Sequence, residues 1–308
     1  MKIGSTTTTP ILVRLVGILV ALGTATAFLW FAYMHPEVVA NLTQTTPFTI
    51  FSVILMYAGS IGSLALLLHV LLQLYGKCLP YSEYFLLTAY SSLVNFFGPG
   101  QSGPGVRAMY LKVKYGIPFN RFIFGMFMYF AWLILFSGAM LFAPKIPWWL
   151  TCSCIAILAT ASAFFIWLVA GPNKTALVPL ECQPRLVRMV LMTGIGTAMQ
   201  IAFLTAAYFA ELRSVDSSVT LSQTISFTGA ANFSLFVSIT PGAIGIREAF
   251  LFLSQSIHGI SVETITTASA LDRAVYLLVL ALLGLLVLLT HAAQRFHQPG
   301  KVESQDNP

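Results

Sequence analysis

Charged residues are scarce in this sequence. Lysine, arginine, aspartate and glutamate make up only 8% of the 308 residues, whereas hydrophobic residues make up 57%. A soluble domain carries about 25% charged residues, and so few charges cannot cover the surface of a globule of this size. The composition therefore excludes a soluble protein, a disordered chain and a coiled coil.

Cysteines and catalytic motifs are also few. The four cysteines are too sparse to form a disulfide framework in a chain of this length. The sequence has no P-loop, no Rossmann glycine pattern and no HExxH motif. We therefore expect no enzymatic activity, no cofactor and no metal ion. Because the basic residues are scattered among apolar runs, we also expect no nucleic-acid partner.

Long apolar runs are what this sequence does have. A helix needs about 20 mostly apolar residues to cross a membrane. Six segments meet this requirement: roughly 11–34, 49–75, 121–143, 147–170, 186–210 and 262–291. We expect the first to be a retained span, because its apolar run continues beyond the signal-peptide-like site at 25–27. The pattern predicts an all-α polytopic membrane protein with about six transmembrane helices.

Two further apolar stretches, 80–97 and 222–239, are broken by glycine and proline. The breaks fall at 98–105 and 240–245, and a short amphiphilic piece follows each of them. Proline and glycine end a helix, and unpaired backbone cannot face lipid. We interpret both stretches as re-entrant helical hairpins that enter and leave on the same side.

The charges favour this arrangement. With a cytoplasmic N-terminus, most of the 16 basic residues lie on the cytoplasmic side, as the positive-inside rule requires. The outer connections would hold four acidic residues: Glu37, Glu211, Asp216 and Glu263. Making 80–106 a full span would separate Lys77 from the basic residues at 107–121. We therefore expect both termini on the cytoplasmic side of a bacterial-type inner membrane.

The two broken stretches also resemble each other. A Pro-Gly-x-x-Gly motif stands at 99–103 and again at 241–245, and each motif is followed by an arginine. We interpret residues 1–298 as one integral membrane domain with halves 1–145 and 146–298, followed by a polar tail at 299–308. Because each half has three spans, the halves would be inverted. Inverted repeats with broken helices are a transporter architecture.

Arg107 and Arg247 are the first candidate binding residues. Each follows a glycine-rich turn at the start of a short helix, where free backbone N–H groups and an arginine fork suit an anion such as phosphate. For Arg107, snorkelling at the cytoplasmic edge of the hairpin is an equal alternative. Asn95 and Asn232 precede the two breaks.

Asp272 and Arg273 lie about ten residues into the last span, near mid-membrane. Ionisable residues at this depth face a cavity or the bundle interior and have partners. Neighbours on a helix point about 100° apart, so Asp272 or Glu248 should pair with an arginine from another element. A purely structural ion pair is the alternative. The candidate substrate-binding set is Asn95, Pro99, Gly103, Gly105, Arg107, Asn232, Pro241, Gly242, Gly245, Arg247, Glu248, Asp272 and Arg273.

The run Pro-Gly-Ala-Ile-Gly-Ile-Arg-Glu-Ala at 241–249, followed by Gly259 and Arg273, resembles a known family. It is similar to the flippase-like transmembrane family related to the N-terminal membrane domain of lysylphosphatidylglycerol synthases. That family often has a Gly-Glu before its first arginine, whereas Pro-Gly-Val at 104–106, without an acidic residue, stands directly before Arg107 here.

The resemblance implies a membrane transporter that moves a phosphate-bearing lipid between leaflets. Its partners would be membrane lipids, either an anionic phospholipid or a polyprenyl-phosphate-linked lipid. No lipid aminoacylation is implied, because the soluble synthase part does not stand in this sequence. A small-anion transporter or channel stays open as an alternative. So does a non-catalytic membrane subunit that assists a separate transferase, and so does a homo-oligomer.

Overall fold

In the computed structural model of the chain, the described residues are 45–73, 75–97, 102–143, 145–147, 186–237, 243 and 245–296, with isolated positions at 26–36 and 149–160. Regular structure in these residues is helical throughout. The helices are α1 (Pro47–Gln73), α2 (Tyr81–Phe97), α3 (Ser102–Tyr115), α4 (Phe119–Phe142), α5 (Leu186–Val215), α6 (Leu221–Val237), α7 (Ile246–Leu253), α8 (Gln255–His258) and α9 (Val262–Phe296).

Four helices are long and apolar enough to cross a membrane: Pro47–Gln73, Phe119–Phe142, Arg188–Val215 and Val262–Thr290. They confirm four of the predicted spans, and the chain is an integral membrane protein. Their outer faces keep large apolar side chains exposed, such as Leu55, Phe127 and Leu289. The predicted spans at 11–34 and 147–170 lie outside the continuously described residues.

Helix α5 continues beyond the predicted end of its span at residue 210. Glu211 was expected in an outer connection, and this prediction is wrong. The residue lies inside α5 and is 1% exposed. The apolar residues around it extend the buried face of the helix by another turn, so the charge does not mark the membrane boundary here.

Helices α2 and α3 form an antiparallel hairpin, the first hairpin. Near its tip, the Ser102 hydroxyl donates to the carbonyl of Val94 at 2.9 Å. At its base, Lys114 Nζ lies 2.7 Å from Glu83 Oε1. The end of α3 therefore lies beside the start of α2, and the chain leaves the hairpin on the side where it entered.

The break in the first hairpin is shorter than predicted. Helix α3 already begins at Ser102, so Gly103, Pro104 and Gly105 form its first turn. Proline is tolerated there because the first-turn N–H groups have no partner within the helix. Gly103 lets α3 approach α2 closely, since a Cβ at this position would lie 2.5 Å from the carbonyl oxygen of Ser91.

The second hairpin consists of α6 and a return arm made of α7 and α8. Near the tip, the rings of Phe233 and Phe250 stack with centroids 5.9 Å apart. At the base, Gln223 Nε2 donates to the carbonyl of Gly259 at 3.3 Å. This hairpin also ends on the side where it began.

The two hairpins enter from opposite sides, because the helices that precede them are antiparallel. Leu67, late in α1, packs against Gly196, early in α5, whereas Gly59 packs against Phe203 further along α5. The ends of α1 and α5 therefore lie at opposite ends of the helix pair. Since the first hairpin follows α1 and the second follows α5, the two hairpins begin at opposite ends of this helix pair.

Candidate functional site

A cavity of about 240 Å³ lies between the two hairpins. Asn95 and Arg107 line it from the first hairpin, and Asn232 and Arg247 line it from the second. The cavity thus brings together residues that are more than 100 positions apart and that hold equivalent places in the two halves. The long helices close it from the sides.

The long helices present one face each to this cavity. Its wall includes Tyr57, Ser60, Ile61 and Leu64 of α1; Met126, Tyr129, Phe130 and Leu133 of α4; Gln200, Leu204 and Tyr208 of α5; and Asp272, Arg273 and Tyr276 of α9. Most of these positions are three, four or seven residues apart, the spacing that places side chains on one side of a helix. The wall combines apolar surface with a few polar groups, as is typical of ligand sites.

Arg247 and Asp272 form a buried ion pair. Arg247 Nη1 lies 2.5 Å from Asp272 Oδ2, and the two residues are 7% and 3% exposed. The hydroxyl of Tyr57 donates to the other carboxylate oxygen. The guanidinium carbon of Arg247 lies 5.1 Å from the ring centroid of Tyr208. The expectation that Asp272 pairs with an arginine of another element is therefore confirmed.

Glu248 joins the start of α7 to α9. Its Oε1 accepts from Arg273 Nη2 at 2.9 Å, and its Oε2 accepts from the backbone N–H of Gly245 at 2.8 Å. We expected free backbone N–H groups at this helix start to bind phosphate. The Gly245 N–H is instead occupied, because a glutamate in the first turn reaches back to cap its own helix.

Arg107 has a different environment. It is 9% exposed, and its Nε donates to the hydroxyl of Ser91 at 2.6 Å. Among the described residues, no carboxylate lies within ion-pair distance of it, and its terminal nitrogens make no hydrogen bond. Its guanidinium lies inside the helix bundle rather than at an exposed edge of the hairpin, which is inconsistent with snorkelling.

Several buried N–H donors on the cavity wall lack a partner in the described part of the chain. They are Nε and Nη2 of Arg247 and Nδ2 of Asn232. Leaving a buried donor unsatisfied costs about 1–3 kcal/mol, and more for a charged group. Arg247 and Asn232, which carry these donors, both line the cavity, and unsatisfied buried donors of this kind are often met by an ordered water, an ion or a ligand.

Only some of the other predicted site residues line the cavity. Asn95 lines the cavity, and its side-chain oxygen accepts from the N–H of Gly103 at 3.3 Å, so it caps α3. Gly103 also lines the cavity. Gly105 and Gly245 are exposed and are not part of its wall. Pro99, Pro241 and Gly242 lie outside the described residues.

Sequence reasoning missed several polar residues at the site. Tyr57 and Tyr208 contact the ion pair, and Tyr129 donates to Gln200 at 3.1 Å on the cavity wall. Glu211 is buried close to the pair. A signal was present for Gln200 and Glu211, because a polar or acidic residue inside a long apolar run marks the face that avoids lipid.

A family model described as the lysylphosphatidylglycerol synthase TM region matches residues 14–284, which is most of the chain. The match includes both hairpins, every residue of the cavity wall, and both ion pairs of the core. No curated protein matches the chain.

Proposed function

The chain belongs to the lysylphosphatidylglycerol synthase TM region family, and from this membership and the charges of the cavity we propose that it is a flippase. It moves a phosphate-bearing lipid between membrane leaflets and acts as a transporter rather than as an enzyme. One observation carries the proposal. Arg107, without a carboxylate partner among the described residues, lines the same cavity as the unsatisfied donors of Arg247.

Phosphate matches these donors chemically. An arginine fork binds two phosphate oxygens at once, and a phosphate offers enough acceptors for two guanidinium groups and the Asn232 amide. The acidic residues Asp272 and Glu248 are already engaged with Arg247 and Arg273. The charge of Arg107 is therefore the one that an anionic headgroup would balance.

The proposed transport mechanism uses the opposed hairpins. We place both hairpins as re-entrant elements in a bacterial-type inner membrane, with both termini cytoplasmic. In inverted-repeat transporters, a fixed site near mid-membrane is opened alternately to the two sides. The cavity fits such a site because Asn95 and Arg107 reach it from one side, and Asn232 and Arg247 from the other.

Reconstitution tests the flippase proposal. The full chain is incorporated into liposomes that contain a fluorescent phosphatidylglycerol, and the label of the outer leaflet is quenched with a membrane-impermeant reductant. We expect wild type to expose inner-leaflet lipid at a rate at least tenfold above Arg107→Gln. Arg188→Gln removes an exposed arginine of α5 and is the matched control. Equal rates for wild type and Arg107→Gln would contradict the proposal.

The cavity volume favours a second candidate, a transporter of a small water-soluble anion. About 240 Å³ holds a phosphate headgroup but no acyl chain. The same liposomes, loaded with inorganic phosphate instead of labelled lipid, separate the candidates. Phosphate efflux without lipid movement would replace the flippase by the anion transporter.

A labelling experiment tests the proposed topology. Cys78 is exposed in the connection between α1 and α2 and is a natural reporter once the other three cysteines are replaced by serine. Ser217→Cys, introduced into a cysteine-free protein, reports on the connection between α5 and α6. We expect a membrane-impermeant thiol reagent to label position 217 from outside but not Cys78. Outside labelling of both would contradict the re-entrant arrangement.

A further inference from the structure

Three neutral polar groups on the cavity wall have no hydrogen-bond partner in the part of the chain that the structure describes. They are the hydroxyls of Ser60 and Ser92 and the side-chain nitrogen of Gln200. Each of these residues is more than nine-tenths buried. The phosphate donors proposed above do not include them, so the cavity has a second polar part that still needs an occupant.

The two serine hydroxyls differ from other hydroxyls on the same helices. A serine or threonine inside a helix commonly donates to a carbonyl of the preceding turn. Ser63 of α1 does so at 2.9 Å, and Thr88 of α2 does so at 2.8 Å. Ser60 and Ser92 make no such bond and line the cavity instead. Their hydroxyls can therefore donate to and accept from a molecule in the cavity.

These groups lie beside the phosphate site and on several sides of the cavity. Arg107 donates to Ser91 at 2.6 Å, and Ser92 is the next residue of α2. Ser60 reaches the cavity from α1, and Gln200 reaches it from α5. A headgroup that satisfies all three must carry hydrogen-bonding groups that point in several directions next to its phosphate.

Aromatic rings form much of the remaining wall. The ring centroid of Tyr276 lies 5.1 Å from that of Tyr57 and 5.6 Å from that of Phe96. Tyr129 and Phe130 form a second pair, with centroids 5.2 Å apart. A sugar ring carries hydroxyls around its edge and C–H groups on its faces. The hydroxyls match the neutral polar groups, and the C–H groups suit the negative faces of aromatic rings.

The charges of the wall disfavour a headgroup that contains an amine. Among the described residues of the wall, the only acidic one is Asp272, and it pairs with Arg247 at 2.5 Å. An ammonium group in the cavity would meet arginines without a free carboxylate in the described structure. The neutral hydroxyls of a sugar avoid this repulsion.

The cavity also has room for a sugar. Its volume of about 240 Å³ corresponds to roughly eight water molecules, and a phosphate group takes the room of about two or three. Space for one sugar ring remains beside the phosphate.

We propose that the cavity binds a glycosylated lipid phosphate, with the sugar between Ser60, Ser92 and Gln200 and the phosphate at Arg107. The proposal rests on the proposed function, because the sugar is attached to the phosphate that the flippase moves. The sugar selects the lipid, since a headgroup without hydroxyls leaves the three polar groups unpaired. Phosphatidylglycerol offers the same phosphate with fewer hydroxyls and would bind more weakly.

Binding of charge-matched esters to the full chain in nanodiscs tests the proposal. The probes are radiolabelled farnesyl phosphate diesters that carry a glucosyl, a cyclohexyl or a glyceryl group, and all have the same charge. We expect wild type to bind the glucosyl ester roughly tenfold or more tightly than either of the others. Equal affinity for the glucosyl and cyclohexyl esters would overturn the sugar site. Equal affinity for the glucosyl and glyceryl esters would overturn the assignment to a sugar.

Matched serine variants test where the sugar lies. Ser60→Ala and Ser92→Ala should each lower the preference for the glucosyl over the cyclohexyl ester by roughly two- to tenfold, as expected for one neutral hydrogen bond. Neither should impair folding, because neither hydroxyl has a bond to lose in the described structure. Ser63→Ala is the control, since Ser63 is buried on the same helix as Ser60 but does not line the cavity. An unchanged preference in both cavity variants would overturn the placement.

Arg107→Gln separates this proposal from the proposed function. It should weaken the glucosyl and cyclohexyl esters alike, because both carry the phosphate. Phosphate binding that depends on Arg107 without any sugar preference would overturn the sugar site alone. Binding of both esters that does not depend on Arg107 would contradict the proposed function, and the sugar site with it.

A probe without a tail distinguishes a lipid from a free sugar phosphate. At equal concentration, glucosyl methyl phosphate should not displace the glucosyl farnesyl ester from wild type. Displacement would overturn the assignment to a lipid.

Discussion

The two hairpins hold equivalent arginines in different ways. In the first, Arg107 hydrogen-bonds only to a serine hydroxyl and has no carboxylate partner among the described residues. In the second, Arg247 pairs with Asp272 and stacks on Tyr208. A buried charge without a partner destabilises a fold. The proposed function rests on this difference, because a bound anion would balance the arginine that has no carboxylate partner in the described structure.

The hairpins are also anchored at different places. Glu83 ties the base of the first hairpin together, because it accepts hydrogen bonds from Tyr110, Lys114 and Tyr115 of α3. The second hairpin has an uncharged base but is joined near its tip to α9, through the two ion pairs. The tip of the first hairpin carries no such ion pair in the described structure. We infer that the second hairpin is the more rigid part of the site.

The largest expected effect concerns the ion pair between Arg247 and Asp272. Asp272→Asn should lower the free energy of unfolding by about 3–5 kcal/mol, because it leaves Arg247 as an uncompensated buried charge. Combining it with Arg247→Gln should recover at least half of this loss, since the double variant removes both charges of the pair. Denaturant unfolding in detergent measures both, with Glu263→Gln as an exposed control. Additive losses in the double variant would contradict the pairing.

The second prediction concerns lipid affinity. Lysine keeps the charge of an arginine but loses the planar set of donors, so Arg107→Lys and Arg247→Lys should each weaken binding of a phosphorylated lipid. We expect a loss of roughly ten- to hundredfold, corresponding to one charge-assisted hydrogen bond. Binding to nanodisc-embedded protein measures this, with a neutral diacylglycerol as the control lipid.

Replacing each arginine by glutamine should affect the stability of the protein differently at the two positions. Arg107→Gln should leave the free energy of unfolding unchanged or raise it, because the substitution removes an uncompensated buried charge. Arg247→Gln should lower the free energy of unfolding, because it leaves Asp272 as a buried carboxylate without its cation. Equal destabilisation by the two glutamine variants would show that the hairpins do not differ in charge balance.

The sequence predicted the spans better than the site. The helices α1, α4, α5 and α9 begin within about two residues of their predicted positions. Apolar runs of this length are typical of membrane-spanning helices, so the start of each run predicts the start of the helix. The end of α5 was predicted too early, because a charged residue after an apolar run usually marks the end of a membrane span. Only the packing of the helices shows that Glu211 is buried.

The partners within the site depend on packing that a sequence does not encode locally. Adjacency excluded an Asp272–Arg273 pair, but the choice between Arg247 and other arginines depends on how α7 crosses α9. The unpartnered state of Arg107 likewise follows from the position of the whole first hairpin. By contrast, the glycine-rich breaks can be recognised in the sequence because their backbone requirements are local, and the arginine that follows each break lines the cavity.

The fourth prediction compares a glycine of each hairpin. Gly245 has φ of +81°, a conformation that residues with a Cβ avoid, although no neighbour would contact a Cβ there. Gly245→Ala should therefore destabilise the protein by about 1–3 kcal/mol through backbone strain alone. Gly105→Ala is the matched control, because Gly105 is exposed, lies in the first turn of α3, and also has open space around it. Alanine should be neutral or stabilising there. Similar losses at both positions would contradict this explanation.

The smallest expected effect concerns the base of the first hairpin, through Glu83. Partial burial opposes its ionisation, but hydrogen bonds from Lys114, Tyr110 and Tyr115 outweigh the burial and hold the pKa of the Glu83 carboxyl below its usual range. A lowered pKa stabilises the folded state fully above the ordinary pKa of glutamate, and this stabilisation is lost as pH falls through the lowered value. Because Lys114 is half exposed, the contribution should be about 1 kcal/mol or less.

Glu83→Gln tests this assignment. Above about pH 5, the variant should unfold more easily than wild type by a constant amount, and the difference should shrink as the pH falls further. Tyr115→Phe, which removes one of the three donors, should give a smaller loss with the same pH dependence. Unfolding measured in detergent between about pH 3 and pH 8 distinguishes the outcomes. A difference that stays constant down to the acidic end would show that the charge of Glu83 does not fasten the hairpin. The base of the first hairpin would then be held by interactions that do not depend on charge, as the base of the second is by the hydrogen bond from Gln223 to Gly259.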